Sequence, residues 1–454
     1  MAFKNSKETI SGSRMTDESL FSGLRVLDIA SFIAGPAATT VLSDFGADVI
    51  KVERPGMGDP YRQDYLRPPN PASKENYPWQ LDNRNKRSLV VDLKNPHAAE
   101  VLARLVKWAD VLVTNFPPRV RQRLKLSYED VSPLNPRLIY ASITGYGERG
   151  PEADKPGFDI TGYWARSGLM QFTRDGASPP VAPVAASGDH ATAMSLFAGI
   201  VSGLYRRERT GKGCHVQTSL IANGVWAASM WLQAALQGAK FPDPIDRHHM
   251  PNALFASYRT QDDRWVMLAF IQEDKNWPDF ARAIERPDLL TDPRFADAKA
   301  RHANSEAFVA ELDHVFGAQP LAHWKKVLDA AHLPYGAVQI AEEIVNDPQL
   351  LANRILVPIV NGGTNPRLTV DSPVVIKESP KVRPRVAPEL GEHTEEVLEE
   401  LGFDAAQIDD LRANGAIPRA APGSGSHGKQ ESLTLNLTQL RIRTSKPTEL
   451  SKSN

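Results

Sequence analysis

The sequence predicts an α/β fold with a parallel sheet. Three observations carry that reading: five short apolar runs recur between residues 24 and 144, helix-like segments separate them, and the composition suits a core-forming chain. Residues 24–30 (LRVLDIA) read as the first strand. Pro36, suited to a first helical turn, opens an apolar stretch that ends near Phe45 and Gly46. Residues 48–53 (DVIKVE) and 88–93 (SLVVDL) give the second and third strands. Residues 96–110 look helical, 111–115 (VLVTN) return to strand, and 138–144 (LIYASIT) follow the next helix. The first 150 residues therefore read as an α/β domain of the nucleotide-binding type.

Two irregular stretches interrupt this pattern. Residues 55–85 carry six prolines, and a loop of that length is usually functional or wraps a partner. Residues 173–188 (TRDGASPPVAPVAASG) end immediately before Asp189. A helix is expected next, with Met194, Phe197, Val201 and Leu204 on one face. Arg206, Arg207 and Arg209 suit its last turn, and Gly211 stops it.

Beyond residue 245 the texture changes. Residues 254–260 and 265–270 flank a plausible hairpin at 261–264, and helices are expected near 274–284, 305–316 and 321–331. A smaller α+β domain is predicted over 245–335. Residues 350–384 return to strand-like runs, and 392–402 and 404–413 read as helices. The large domain is expected to comprise 20–220 plus 345–418. The tail at 422–454 lacks aromatics, is rich in Ser, Thr and Lys, and reads as disordered.

Composition excludes several classes of function. The 454 residues include 53 Lys plus Arg and 54 Asp plus Glu, for a net charge of −1. A nucleic-acid binder would carry a clustered basic excess. Cys214, the single cysteine, excludes a disulfide framework and a multi-cysteine metal site. Residues 216–239 carry no formal charge and are long enough to span a bilayer, yet they include Gln217, Asn223 and Gln233. A buried strand followed by a core helix is the better reading. Residues 1–18 have no apolar core, so no signal peptide is expected. A soluble cytoplasmic protein with no membrane and no nucleic-acid partner is the expectation.

Common chemical signatures are missing. Residues 32–37 (FIAGPA) are not the Gly-x-Gly-x-x-Gly of a dinucleotide turn. His248 and His249 form the one histidine cluster, without carboxylates at ligand spacing, so no metal site is expected. Asp189 is the residue that attracts chemistry. It follows a glycine and stands at the start of a long helix. It reads either as a helix N-cap or as a carboxylate nucleophile, and sequence physics leaves both open.

Several motifs in order carry a resemblance. They are residues 34–37 (AGPA), 44–54 (DFGADVIKVER), 83–94 (NRNKRSLVVDLK), 109–116 (ADVLVTNF), 135–147 (NPRLIYASITGYG), 157–160 (GFDI), Gly188 with Asp189, and 391–395 (GEHTE). Together they resemble the family III CoA-transferases, the formyl-CoA transferase and carnitine CoA-transferase group, from about residue 20 to 418. The resemblance implies a Rossmann-like large domain, a smaller domain and an interlocked homodimer. It implies that Asp189 attacks an acyl-CoA thioester, passing through a mixed anhydride to an enzyme–CoA thioester. Backbone N–H groups at the helix start would stabilise the developing oxyanions. No tightly bound cofactor is implied, CoA esters and small carboxylic acids being the substrates. The implied CoA contacts are Ile33, Ala34, Arg54, Val91, Asp92, Leu93, Lys94, Asn115, Phe116, Arg123 and residues 156–159, including Phe158 and Asp159.

There are departures. Formyl-CoA transferases have Gln where Ile33 stands and Tyr-Glu where Phe158 and Asp159 stand, and their Gly-rich loop has no counterpart at 247–256 (RHHMPNALFA). Arg62, Arg247, His248 and His249 are cationic candidates for the distal carboxylate of a dicarboxylate such as succinate. The rival reading is an α-methylacyl-CoA racemase, which places His where Phe158 stands; a phenyl ring cannot move a proton. A non-catalytic CoA-ester-binding protein is the third.

Overall fold

Strand β1 (Arg25–Ile29) is buried at every residue after its first, so apart from Asp28 its buried residues are apolar without alternation. Strands β4 (Val111–Thr114) and β5 (Ile139–Thr144) are buried at every residue. The computed structural model describes residues 19–176, 178–241, 246–360 and 367–419. Residues 422–454, expected to be disordered, and residues 1–18, where no signal peptide is expected, lie outside them.

With β2 (Asp48–Glu53), β3 (Arg87–Val90) and β6 (Cys214–Ser219), these strands form one sheet in the order β3-β2-β1-β4-β5-β6. Every neighbouring pair is parallel. The strand order reverses between β1 and β4. At such a switch point the loops leaving the carboxyl ends diverge and open a crevice.

Helices cover both faces. On one, α1 (Ala34–Asp44) is buried along its whole length, sandwiched between the sheet and the long helix α7 (Ser187–Thr210). On the other, Val101 and Leu105 of α3 (Ala99–Trp108) pack with Val397, Leu398, Ile408 and Leu411 of helices Thr394–Glu400 and Ala405–Ala413. The C-terminal segment thus completes the core that the first 150 residues begin.

Two expectations need correction. The buried stripe of α7 runs through Thr192, Ala193, Leu196, Phe197, Ile200 and Gly203, while Val201 is exposed. Small residues at 193 and 203 let α7 approach its neighbours closely, and a pattern built on bulky residues misses that face. The second concerns 216–239. It is a strand and then helices α8 (Leu220–Ala227) and α9 (Ser229–Leu236), but α9 buries no residue, and Trp226, Met230 and Leu236 are exposed. Among the described residues no helix is long and apolar enough to cross a membrane.

Residues 253–333 close a hydrophobic cluster of their own around Tyr258, Phe280, Phe308, Phe316 and Trp324. It lies against the three-stranded antiparallel sheet β7 (Ser257–Arg259), β8 (Trp265–Leu268) and β9 (Tyr335–Ala337). The expected hairpin is present, with Asp263 in the left-handed region at φ 62°. Strands β10 (Leu356–Ile359) and β11 (Arg367–Val370) pair antiparallel after it.

Candidate active site

The loops at the switch point are pinned to each other. Asn115, just past β4, accepts the Ser31 N–H at 2.9 Å and donates to the Ser31 carbonyl at 2.6 Å. From beneath, the fully buried Lys51 ammonium donates to the Ala30 carbonyl and pairs with Asp59 at 3.0 Å and Asp28 at 3.7 Å. Asp59 in turn accepts the Phe32 N–H at 3.1 Å, holding Phe32 in the left-handed region at φ 61°. A bulky residue occupies that region only when its surroundings over-determine it. Sequence reasoning passed over Lys51 and Asp59 as part of the site. The available signal was an ionisable residue inside the apolar run DVIKVE.

Two adjoining hollows open here, sharing Ser31 and Phe116. The first, about 210 Å³, is lined by Phe32, Ile33, Ala34, Asn115, Ile143, Thr144, Lys155, Phe158, Asp189 and Leu220, among others. The second, about 270 Å³, is lined by Arg54, Val91, Asp92, Leu93, Lys94 and Arg123, among others. Arg54 and Arg123 are exposed on its rim. Among the described residues Arg54 donates to the Gly58 carbonyl and to the Met57 sulfur. A cation-rimmed hollow joined to one holding a carboxylate suits an elongated phosphorylated thioester.

Asp189 sits in the third position of α7, not at its cap. The N-cap is Ala186, at φ 69° and with no side-chain cap bond. Asp159 caps the helix instead, accepting the Gly188 N–H at 3.1 Å. This explains why glycine precedes Asp189: a Cβ at 188 would stand 2.2 Å from Asp159 Oδ1 and 2.3 Å from the Tyr163 ring. Asp159, an implied CoA contact, does not line the first hollow, and its carboxylate makes this anchoring bond. Phe158 is delivered to the wall by a backbone crossing, since a Cβ on Gly145 would fall 2.6 Å from the Gly157 Cα.

Among the described residues none donates a hydrogen bond to Asp189. Burial, then the neighbouring Asp159 charge, push its carboxyl up to about 7, against the pull of His190. The helix N-terminus favours the ionised form, but burial and a second carboxylate outweigh it. The N–H of His190 is also taken, by the Ala186 carbonyl. The Gly188 N–H, one of the first-turn groups expected to receive an oxyanion, is already engaged by Asp159.

His190 turns away from this hollow. Its Nε2 meets Asp82 Oδ1 at 3.0 Å, and Tyr61 donates to Asp82 Oδ2 at 2.9 Å. Burial pulls the imidazole pKa down, but the bond to Asp82 together with the charges of Asp82, Asp189 and Asp159 outweighs it and the net shift is upward. His190 lines a separate hollow of about 550 Å³ with Ala37, Met194 and Val370.

None of the four cations expected to receive a distal carboxylate lines the first hollow. Arg62 makes two bonds to Glu53, at 2.7 and 2.8 Å, and stacks on Trp79 at 3.8 Å. Arg247 pairs with Asp313 at 2.6 Å and His249 with Asp246 at 2.8 Å, while His248 is exposed.

The model of CoA-transferase family III matches residues 21–394. The (R)-2-hydroxy-4-methylpentanoate CoA-transferase of Clostridioides difficile is 32% identical over 394 residues, covering 87% of this chain and 98% of the relative. The acetyl-CoA:oxalate CoA-transferase of Acetobacter aceti is 37% identical over 379 residues, covering 82% of this chain and 93% of the relative. Among solved structures, a CAIB/BAIF family protein from Brucella suis matches with a TM-score of 0.76 at 28% identity, covering 85% of this chain and 100% of that one.

Proposed function

The chain belongs to CoA-transferase family III, and from that premise we propose that it moves CoA from an acyl-CoA donor to a carboxylic acid acceptor through an aspartyl-CoA thioester on Asp189. One observation carries the assignment. Asp189 is a largely buried carboxylate with no hydrogen-bond donor among the described residues, facing a hollow that continues into the cation-rimmed one.

The electron bookkeeping closes without an outside reagent. An Asp189 oxygen attacks the thioester carbonyl, the C–S bond breaks, and CoA leaves as thiolate from a mixed anhydride. The thiolate attacks the aspartyl carbonyl, the anhydride C–O bond breaks, and the donor acid departs. The acceptor carboxylate then displaces thiolate from the aspartyl thioester, and the thiolate attacks the acceptor carbonyl to regenerate Asp189. Burial serves this chemistry twice: a poorly solvated carboxylate is more reactive, and the anhydride is kept from water. Arg54, Lys94 and Arg123 hold the CoA phosphates, while Asn115 and Phe116 flank the pantetheine arm.

The racemase reading lacks its second acid–base group. Phe158 lines the hollow, and His190 is bonded to Asp82 on the wall of another. The relatives named above act on unlike acids, so kinship alone does not choose the substrate pair. The division into domains at 20–220 plus 345–418 and 245–335, and the interlocked homodimer, belong to this proposal; a monomeric mass at micromolar concentration would contradict the dimer. The function is tested by incubating the enzyme with acetyl-CoA or succinyl-CoA and a panel of acids. New CoA esters in wild type, and their loss in Asp189→Asn, are expected; equal transfer by Asp189→Asn would remove the nucleophile assignment.

A further inference from the structure

The wall of the Asp189 hollow is apolar where a reacting acid must sit. Phe158 and Asp189 are held within one residue of each other's anchor, because Asp159 bonds to the Gly188 N–H. Whatever acid reaches Asp189 therefore lies beside Phe158. The Phe158 ring meets the Phe32 ring edge to face, with centroids 5.9 Å apart and planes at 88°. Phe158 is nevertheless 54% exposed. Ile33, Ile143 and Leu220 extend the same surface.

The Asn115 amide on this wall is held by the Ser31 backbone, and Thr144 Oγ1 accepts the Gly147 N–H at 2.9 Å. The one cation, Lys155, pairs with Glu152 at 2.7 Å. A second carboxylate on the substrate would enter this space without an uncommitted cation, and desolvating it there is costly.

We infer that the acids exchanged at Asp189 are monocarboxylates with a branched-chain or aromatic body, and that Phe32, Ile33 and Phe158 select them. This rests on the transferase reading above. The half-buried Phe32 lines the hollow and packs against the buried cluster of Tyr61, Trp79 and Ala387, and its left-handed backbone keeps the ring in that position. An apolar pocket of this size discriminates by about ten- to a hundredfold for one or two buried carbon groups.

The test uses the full chain, propanoyl-CoA as common donor, and acetate, 4-methylpentanoate, 3-phenylpropanoate, succinate and oxalate as acceptors. Expected are kcat/KM values at least about tenfold higher for 4-methylpentanoate and 3-phenylpropanoate than for succinate and oxalate. In Phe158→Ala the ratio of 3-phenylpropanoate to acetate should fall about tenfold, and Phe158→Leu should recover part of it for 4-methylpentanoate. A preference for succinate or oxalate overturns the inference and leaves the transferase intact. An unchanged ratio in a folded Phe158→Ala overturns it as well. Absence of CoA exchange with every acid, and of a CoA adduct on Asp189 by intact mass, overturns the transferase reading and this inference with it.

Discussion

Asp159 Oδ1 accepts the N–H of Gly188 at 3.1 Å, so the carboxylate that closes the first turn of α7 stands beside the carboxylate proposed to attack. The two repel, and the repulsion adds to burial in holding Asp189 near neutrality.

With the Asp189 carboxyl at about 7, kcat/KM should climb about tenfold per pH unit below that value and level off above it, because the ionised form attacks. Asp159→Asn keeps an oxygen for the Gly188 N–H but removes a negative charge. The rising limb should then move to lower pH. A limb that stays in place would show that Asp159 does not tune Asp189.

The same shift fixes the sign of a stability effect. The folded pKa lies above the ordinary 3.8, so the folded state gains relative to the unfolded one while Asp189 is protonated. That gain is complete below about 4 and is lost as pH rises through about 7. Asp189→Asn escapes the loss and should be more stable than wild type at pH 8 by about 2–4 kcal/mol, with little difference near pH 4. Asp189→Ala carries no capping penalty, since Asp159 is the cap. Thermal melts at the two pH values decide it; a variant less stable at pH 8 contradicts the burial argument.

Gly188→Ala should destabilise by about 1–3 kcal/mol, because its methyl group would overlap Asp159 and the Tyr163 ring. Denaturant unfolding measures the loss. Transfer activity should fall further than stability alone explains, since the displaced Asp159 no longer orients the first turn.

Arg62 and Arg123 should separate cleanly. The Glu53 side chain opposite Arg62 is fully buried, and Arg62→Ala strands that charge at a cost of about 3 kcal/mol. Arg123→Ala should leave stability alone and raise KM for acyl-CoA about tenfold, more at low salt. A substrate-specific KM effect in Arg62→Ala would reinstate it as a substrate contact.

The sheet was legible because its central strands are buried on both faces and announce themselves as short, mostly apolar runs, as residues 25–29 and 111–114 do. Asp189 was legible by position, at the start of a helix after a flexible segment. Its partners were not. His190 meets Asp82 across 108 residues and Arg62 meets Glu53 through a loop, and neither pairing leaves a trace in local spacing. Charge type alone made Arg62 a candidate for substrate; geometry gave it to Glu53. The cap reading of Asp189 failed for a similar reason, since the capping group comes from a distant turn.

The anchoring of residues 31–33 from both sides has a thermodynamic consequence. The Asn115 amide and the buried Lys51 ammonium, with Asp59 as its relay, fix this loop before any ligand arrives. Ordering a free loop would cost about 1–2 kcal/mol of conformational entropy for each residue, subtracted from the affinity for CoA. Here that ordering is completed during folding, and the floor of the crevice meets its ligand preorganised.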